Sequence, residues 1–118
     1  MRVLIVDENV NIRVMLRQLL RGLCDEILEC ASGEEAVIVY KRWHPDVVLT
    51  EILLPRMDGI ETMQAIQCHD PGVHLLFVTE VDEPSCRSEA LAAGAEGYFL
   101  KENLIELQDY IMQQPALH

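Results

Sequence analysis

Five short apolar runs, each followed by a segment with apolar residues at helical spacing, constrain this sequence of 118 residues more than any other feature. The run over 3–6 is continuous and rich in β-branched residues, as expected of a strand covered on both faces. The predicted strands lie at 26–30, 46–50, 75–78 and 98–100 in addition to 3–6. This alternation predicts one doubly wound α/β domain, with a parallel sheet and helices on both faces.

The first predicted helix carries one apolar stripe that is expected to be buried. Its apolar residues recur at the spacing of a single helix face. Gly22 is the expected stop signal near the end of this helix. The residues of the stripe are Ile12, Met15, Leu16, Leu19, Leu20 and Leu23.

Polar pairs three residues apart mark the expected starts of three later helices. In such a pair the first side chain accepts a hydrogen bond from the backbone N–H of the second residue, and a glutamate there can return the bond. The pairs are Ser32 with Glu35, Asp58 with Glu61, and Asn103 with Glu106.

The charge balance excludes some classes of partner. The chain has 20 acidic and 9 basic residues, a formal net charge of −11. Since phosphate backbones require a basic face, this domain is not expected to bind nucleic acid directly. An anionic membrane surface is disfavoured for the same reason, whereas a basic protein surface or a metal cation is favoured.

Other features favour a cytoplasmic protein. No segment approaches the roughly 20 apolar residues of a membrane span, and no signal-peptide pattern precedes the first strand. The four cysteines, Cys24, Cys30, Cys68 and Cys86, include no C-x-x-C pair. They are interpreted as reduced thiols, with a metal or redox site as the alternative.

Polar residues stand at the ends of four predicted strands. Asp7 and Glu8 follow the first, Glu51 ends the third, Thr79 ends the fourth and Lys101 follows the fifth. Ligands of doubly wound sheets bind at this carboxyl edge. Carboxylate oxygens suit Mg²⁺, and a hydroxyl and an ammonium group suit a phosphoryl oxygen. The alternative is that these groups are merely solvated.

Over residues 2–113 the chain resembles the receiver domain of two-component response regulators. The resemblance rests most on the turn L-P-R-M-D-G at 54–59 and the ending G-A-E-G-Y-F-L-K at 94–101. Further matching segments are V-L-I-V-D-E at 3–8, D-V-V-L-T-E at 46–51 and F-V-T at 77–79. The family implies a flavodoxin-like fold with five parallel strands in the order 2-1-3-4-5.

The resemblance also implies a phosphoacceptor pocket. In the family, an aspartate at the position of Glu51 takes a phosphoryl group from a histidine kinase or phosphotransfer protein. The implied Mg²⁺ ligands are Asp7, Glu8, Glu51 and the backbone carbonyl of Leu53, and weak Mg²⁺ binding is expected here. A domain of this family is a bacterial, cytoplasmic signalling module and not an enzyme.

The resemblance also implies that residues of the fourth and fifth strands respond to phosphorylation. In the family, the residues at Thr79 and Lys101 contact the phosphoryl group. The aromatic residue three positions before the lysine, here Tyr98, changes rotamer with the signalling state, although an ordinary core tyrosine is the alternative. The implied interaction face comprises the fourth helix, fifth strand and fifth helix, which would meet a protein partner or a second copy.

Three residues depart from the family's pattern. Glu51 replaces the aspartate and extends its carboxylate by about one bond, ~1.5 Å, and a displacement of order 1 Å can cost about a hundredfold in rate. Glu80 replaces a small residue and is expected to point outward. Glu102 replaces a proline that often sets this loop, which puts the placement of Lys101 in question.

These departures leave several functions open. Glu51 either mimics the phosphorylated state or leaves a switch that never fires. The chain is then a receiver, a phosphate-independent pseudo-receiver that binds proteins, or the N-terminal regulatory part of a longer DNA-binding transcription factor. Residues 114–118 are expected to be a tail or the start of a linker. A nucleotide-binding protein or hydrolase on this fold is disfavoured, since G-x-G-x-x-G, P-loop and G-x-S-x-G motifs are missing.

Overall fold

Strands and helices alternate along residues 1–114, the part of the chain that the computed structural model describes. The predicted alternation is confirmed, and the ends of the predicted strands differ from the observed ones by at most one residue. Of the predicted tail, residues 115–118 lie outside the described part. The elements are β1 (Arg2–Val6), α1 (Val10–Leu19), β2 (Glu26–Cys30), α2 (Gly33–Trp43), β3 (Val47–Thr50), α3 (Gly59–His69), β4 (Leu75–Thr79), α4 (Pro84–Ala92), β5 (Gly97–Leu100) and α5 (Leu104–Met112).

The five strands form one parallel sheet in the order β2-β1-β3-β4-β5, as the resemblance implied. The register pairs Val6 with Cys30 on one side and with Thr50 on the other. On the far side of the sheet, Thr79 pairs with Leu100. The residues that follow β1 and β3 therefore emerge side by side, which brings their carboxylates to one edge.

Each face of the sheet has its own apolar core, because successive strand residues point to opposite sides. The core with α2, α3 and α4 includes Leu4, Val6, Val48, Phe77, Ala36, Tyr40, Met63, Ile66 and Ala90. The core with α1 and α5 includes Val3, Ile5, Leu49, Val78, Leu16, Leu20, Leu107 and Ile111. Every residue of β3 and β4 is buried, whereas β2 is an exposed edge strand, as its polar sequence predicted.

The stripe predicted for α1 is narrower than expected. Leu16 and Leu20 are buried, but Met15 is 47% exposed, so its predicted burial was wrong. A helix turns by about 100° per residue, which places Met15 at the margin of the stripe that faces the sheet. The helix ends at Leu19, and Gly22 follows with a φ of 84°, consistent with its predicted role as a stop signal.

Two of the three predicted helix caps are present. Asp58 and Glu61 exchange both hydrogen bonds of a capping box, and the Ser32 hydroxyl accepts one from the Glu35 N–H. The prediction for Asn103 was wrong, because its side chain makes no cap hydrogen bond. Its backbone holds the turn into α5 instead, with the Asn103 N–H donating to the Leu100 carbonyl at 2.9 Å.

Among the helices of residues 1–114, none combines the length and apolar composition needed to cross a bilayer.

Tyr40→Phe tests the contact between α2 and the turn after α3. The Tyr40 hydroxyl donates a 2.6 Å hydrogen bond to Asp70 Oδ2 and holds the pKa of Asp70 below its ordinary value of 3.8. Because the folded-state pKa is lowered, the bond stabilises the fold above the unfolded pKa, and this stability is lost as the pH falls through the folded pKa. The variant should therefore unfold more easily than wild type at neutral pH, with a smaller difference at pH below 3.8.

Tyr110→Phe is the matched control, since it removes a longer hydroxyl contact, 3.3 Å, to Glu96. An NMR titration of the Asp70 carboxyl carbon measures the effect directly. An unchanged Asp70 pKa in Tyr40→Phe would contradict the claim that the Tyr40 hydroxyl lowers it.

Candidate functional site

The carboxyl ends of β1 and β3 bring Asp7 and Glu51 into one pocket. Both residues are buried, with exposures of 4% and 6%. They open into a cavity of about 390 Å³. The cavity is lined by Asp7, Glu8, Asn9, Glu51, Leu53, Glu80 and Lys101, which include most of the predicted site residues.

Lys101 enters the pocket from the end of β5 and faces both buried carboxylates. Its Nζ lies 2.8 Å from Asp7 Oδ2 and 3.6 Å from Glu51 Oε1. Its backbone N–H donates to the Thr79 carbonyl at 2.9 Å, which continues the β4–β5 pairing. The lysine therefore reaches the pocket although Glu102, and not proline, follows it.

Backbone N–H groups engage the remaining carboxylate oxygens. The Asn9 N–H donates to Asp7 Oδ1 at 2.8 Å, and the Ile52 N–H donates to Glu51 Oε2 at 2.9 Å. Buried carboxylates need such partners, because an unpaired charge is costly away from water. The two acids are thus fixed by the loops that follow their own strands.

Two residues that support the pocket were missed in the sequence. Asn9 caps α1 through its side chain and holds Asp7 through its backbone. Arg13 donates to the Asp7 carbonyl at 2.6 Å and to Glu29 Oε1 at 3.0 Å, so it ties the β1–α1 loop to β2. Asn9 could have been predicted, because asparagine is a common cap residue before a helix. No sequence pattern indicated the contacts of Arg13 with Asp7 and Glu29.

Burial dominates the electrostatics of Glu51. Desolvation raises the pKa of its carboxyl group, and the Thr79 hydroxyl, the Lys101 ammonium and the Ile52 N–H lower it by less. The net pKa lies above the ordinary value of 4.5. Because the folded-state pKa is raised, the carboxylate costs the fold stability as the pH rises above that value.

Thr79 and Tyr98 are linked through the backbone of Val81. The fully buried Thr79 hydroxyl lowers the pKa of the Glu51 carboxyl group and accepts a 3.2 Å bond from the Val81 N–H. Tyr98 is 4% exposed, and its hydroxyl donates a 2.6 Å bond to the Val81 carbonyl. The loop between β4 and α4 is therefore tied to both residues predicted to act as a switch.

Residues of α4 hold the Tyr98 ring on its other side. The Tyr98 hydroxyl lies 3.5 Å from Cys86 Sγ, and the Arg87 guanidinium carbon lies 5.6 Å from the ring centroid. Burial raises the pKa of Tyr98 well above its ordinary value. The ring is packed inward, and neither α4 contact was anticipated from the sequence.

The other predicted metal ligands lie at the rim of the pocket. Glu8 is exposed, and Leu53 is 63% exposed. Glu80 is also exposed but lines the cavity at its rim, so its outward orientation stays a prediction. Within residues 1–114, no three acidic, histidine or cysteine side chains stand together in a group that could hold a metal ion.

The turn after β3 depends on Gly59. Its N–H donates to the Ile52 carbonyl at 2.7 Å, so the start of α3 lies directly against the backbone beside Glu51. A Cβ at this position would collide with the Glu51 carbonyl. The glycine of the D-G pair thus permits the close approach that shapes this side of the pocket.

A model of the response regulator receiver domain matches residues 3–112, which include the whole pocket. The chain belongs to the response regulator receiver family. Receiver domains of this family are signalling modules of two-component systems and not enzymes. Response regulators interact with histidine kinases or phosphotransfer proteins.

Relatives differ in how much of their length this chain spans. It is 36% identical over 100 residues to the chemotaxis protein CheY of Halobacterium salinarum, covering 85% of this chain and 83% of that protein. It is 33% identical over 114 residues to the regulatory protein AtoC of Escherichia coli, covering 96% of this chain and 24% of AtoC.

Solved receiver domains share the fold closely. The response regulator domain of Thermotoga maritima CheB has a TM-score of 0.85 at 27% identity, covering 96% of this chain and 94% of that one. A chain of the CheX–CheY–BeF₃–Mg²⁺ complex of Borrelia burgdorferi has a TM-score of 0.85 at 27% identity, covering 96% of this chain and 90% of that one.

Receiver domains generally bind Mg²⁺ at their acidic pocket. The donor set of this receiver fits that ion poorly as arranged. The Asp7 and Glu51 carboxylates both face the Lys101 ammonium, which occupies the space where a shared metal ion would bind. Glu8 is exposed at the rim and does not complete a group of metal ligands.

Lys101→Met tests how far the pocket depends on its cation. The variant leaves two buried carboxylates without a counter-charge, so the free energy of unfolding at neutral pH should fall by about 3 kcal/mol. The deficit should shrink in acid, because a protonated Glu51 no longer needs a counter-charge. Urea unfolding over a range of pH measures both effects.

Lys41→Met is the matched control, because the other lysine of the chain is exposed on α2. It should unfold within about 0.5 kcal/mol of wild type. Equal losses in the two variants would show that the Lys101 contacts contribute nothing to stability.

Proposed function

We propose that this chain is a receiver domain in which Glu51 supplies permanently the negative oxygens that phosphorylation supplies elsewhere in the family. One observation carries the proposal. The Glu51 carboxylate contacts both groups, Thr79 and Lys101, that the family uses to contact a phosphoryl group. The sequence left open whether Glu51 mimics the phosphorylated state or leaves a switch that cannot be activated. These contacts favour the first alternative.

The length of the side chain explains why glutamate suits this role. Its carboxylate reaches about 1.5 Å beyond that of an aspartate, toward the space that an attached phosphoryl group would fill. The mimic is incomplete, because a carboxylate carries one negative charge and a phosphoryl group carries about −1.5 to −2. Lys101 lies closer to Asp7, at 2.8 Å, than to Glu51, at 3.6 Å.

The contacts of Val81 would carry the effect to the surface. With Thr79 held by Glu51, the Val81 backbone is fixed on its N–H side, and Tyr98 fixes it on its carbonyl side. We propose that this arrangement keeps α4, β5 and α5 in one conformation. That face would bind a protein partner or a second copy, without direct contact to nucleic acid.

Phosphorylation and Mg²⁺ would then have minor roles. A histidine kinase or phosphotransfer protein remains the partner expected of the family, but Glu51 would not accept a phosphoryl group. Mg²⁺ would bind weakly at Asp7, Glu8, Glu51 and the Leu53 carbonyl, because it competes there with Lys101. Four free cysteines support action in the reducing cytoplasm.

A second candidate is the regulatory part of a longer regulator. The chain spans 24% of AtoC and 41% of the probable transcriptional regulator ycf27 of Porphyridium aerugineum. In that case an output domain would follow the receiver, and the same face would act within one polypeptide.

Glu51→Asp tests the phosphoacceptor role. The variant restores the family's aspartate at a distance suited to in-line transfer, so it should gain one phosphoryl group from acetyl phosphate and Mg²⁺. The wild type should gain none. Intact-mass spectrometry of the two proteins, treated in parallel, measures the difference.

The double variant Glu51→Asp with Asp7→Asn is the control for the site, and it should lose most of the gain. A phosphoryl group on the wild-type protein would contradict the proposal. Failure of both proteins to react would show that Glu80 or the loop at Glu102 also disables the pocket, and would favour the phosphate-independent pseudo-receiver.

Glu51→Gln tests whether charge, and not shape, holds the switch. The amide keeps the size of the side chain but weakens its contacts with Thr79 and Lys101, so Tyr98 should become more mobile and its ring signals should shift. Glu80→Gln, at the exposed rim of the same pocket, is the matched control and should leave them unchanged. NMR of the tyrosine rings provides the measurement, and unchanged Tyr98 signals in Glu51→Gln would count against the mimic.

A further inference from the structure

The two buried carboxylates of the pocket already contact N–H groups of the protein. The two oxygens of Asp7 accept from the Asn9 N–H and from Lys101, both at 2.8 Å. Glu51 Oε2 accepts from the Ile52 N–H, and Oε1 lies 3.6 Å from the Lys101 Nζ. The Thr79 hydroxyl also favours the ionised form of this carboxyl group. A divalent cation that approached either acid would have to do so beside the Lys101 ammonium, which repels it.

Lys101 is the donor that carries positive charge. We propose that its ammonium group is the resident cation of this pocket, taking the place of a divalent metal between Asp7 and Glu51. The arrangement of the pocket is then independent of Mg²⁺, and the ion gains access to Asp7 only when Lys101 leaves. This inference goes beyond the proposed function, which concerns what Glu51 does to the switch.

The surroundings of Lys101 favour the inner position of its ammonium. The Lys101 side chain is 11% exposed, and the side chains of its partners Asp7 and Glu51 are 5% and 6% exposed. A second cavity, of about 300 Å³, offers another position beside Glu80 and Glu102. Those acids are exposed, so solvent and salt weaken their attraction, whereas the buried contacts are screened much less.

The competing ion is poorly suited to displace this lysine. Mg²⁺ gives up its bound water reluctantly and requires near-octahedral oxygen ligands. Asp7 is the buried acid that Lys101 holds most closely, and Glu8 stays exposed at the rim. Displacement would also leave the ammonium without its buried partners.

The presence of two lysines in the chain makes a direct test feasible. The wild-type protein is labelled with ¹³C-lysine, and Mg²⁺ is added through the millimolar range without any phosphoryl donor. The ε-CH₂ signals of Lys101 should show no saturating shift, with Lys41 as the internal reference. A saturating shift of the Lys101 signals alone would overturn the inference.

The same titration on variants tests the competition. Lys101→Met should bind Mg²⁺ at least about tenfold more tightly than wild type, since a unit positive charge within 4 Å of the acids is gone. Lys41→Met should match the wild type. Adding Asp7→Asn to Lys101→Met should remove the gain, which would locate the ion at Asp7.

A folded Lys101→Met protein that binds Mg²⁺ no better than Lys41→Met would overturn the inference. If Lys101→Met does not fold, the Mg²⁺ titration of the wild-type lysine signals tests the inference by itself. Because no phosphoryl donor is present, the result is separate from the test of Glu51 as phosphoacceptor. Tight Mg²⁺ binding with an unphosphorylated Glu51 would overturn this inference and leave intact the role proposed for Glu51 toward Thr79 and Tyr98.

Discussion

The buried ion pair of Lys101 with Asp7 and Glu51 is the interaction on which the rest of the pocket depends. The parallel register of β1 and β3 places two carboxylates side by side where water is largely excluded. Two such charges repel each other and lose hydration, which the fold tolerates only with a cation and well-placed N–H groups. Lys101 supplies the charge, and the loops after β1 and β3 supply the N–H groups.

This electrostatic arrangement is connected to the surface through few atoms. Glu51 holds Thr79, Thr79 and Tyr98 hold opposite sides of the Val81 peptide groups, and residues of α4 pack against the Tyr98 ring. A change of charge at Glu51 therefore has a short path to α4 and β5. Under the proposed function, this path is how Glu51 would set the state of the face formed by α4, β5 and α5.

Much of the fold could be predicted from the sequence, because strand and helix periods are local properties. Positions were less predictable where tertiary packing decides, as at Met15, which lies beside the buried stripe, and Asn103, whose backbone forms the turn. The sequence identified most residues that line the pocket but not their hydrogen-bond partners. The contacts of Arg13 with the Asp7 carbonyl and of Arg87 with Tyr98 join segments whose spacing follows no sequence period.

The most direct test of the central claim compares backbone amide spectra of the wild type with those of Glu51→Asp before and after phosphorylation by acetyl phosphate. If Glu51 reproduces the effect of a phosphoryl group, the wild-type signals around Thr79, Val81 and Tyr98 will coincide with those of the phosphorylated variant. Wild-type signals that coincide instead with the unphosphorylated variant would contradict the account and identify a switch held in its unphosphorylated state.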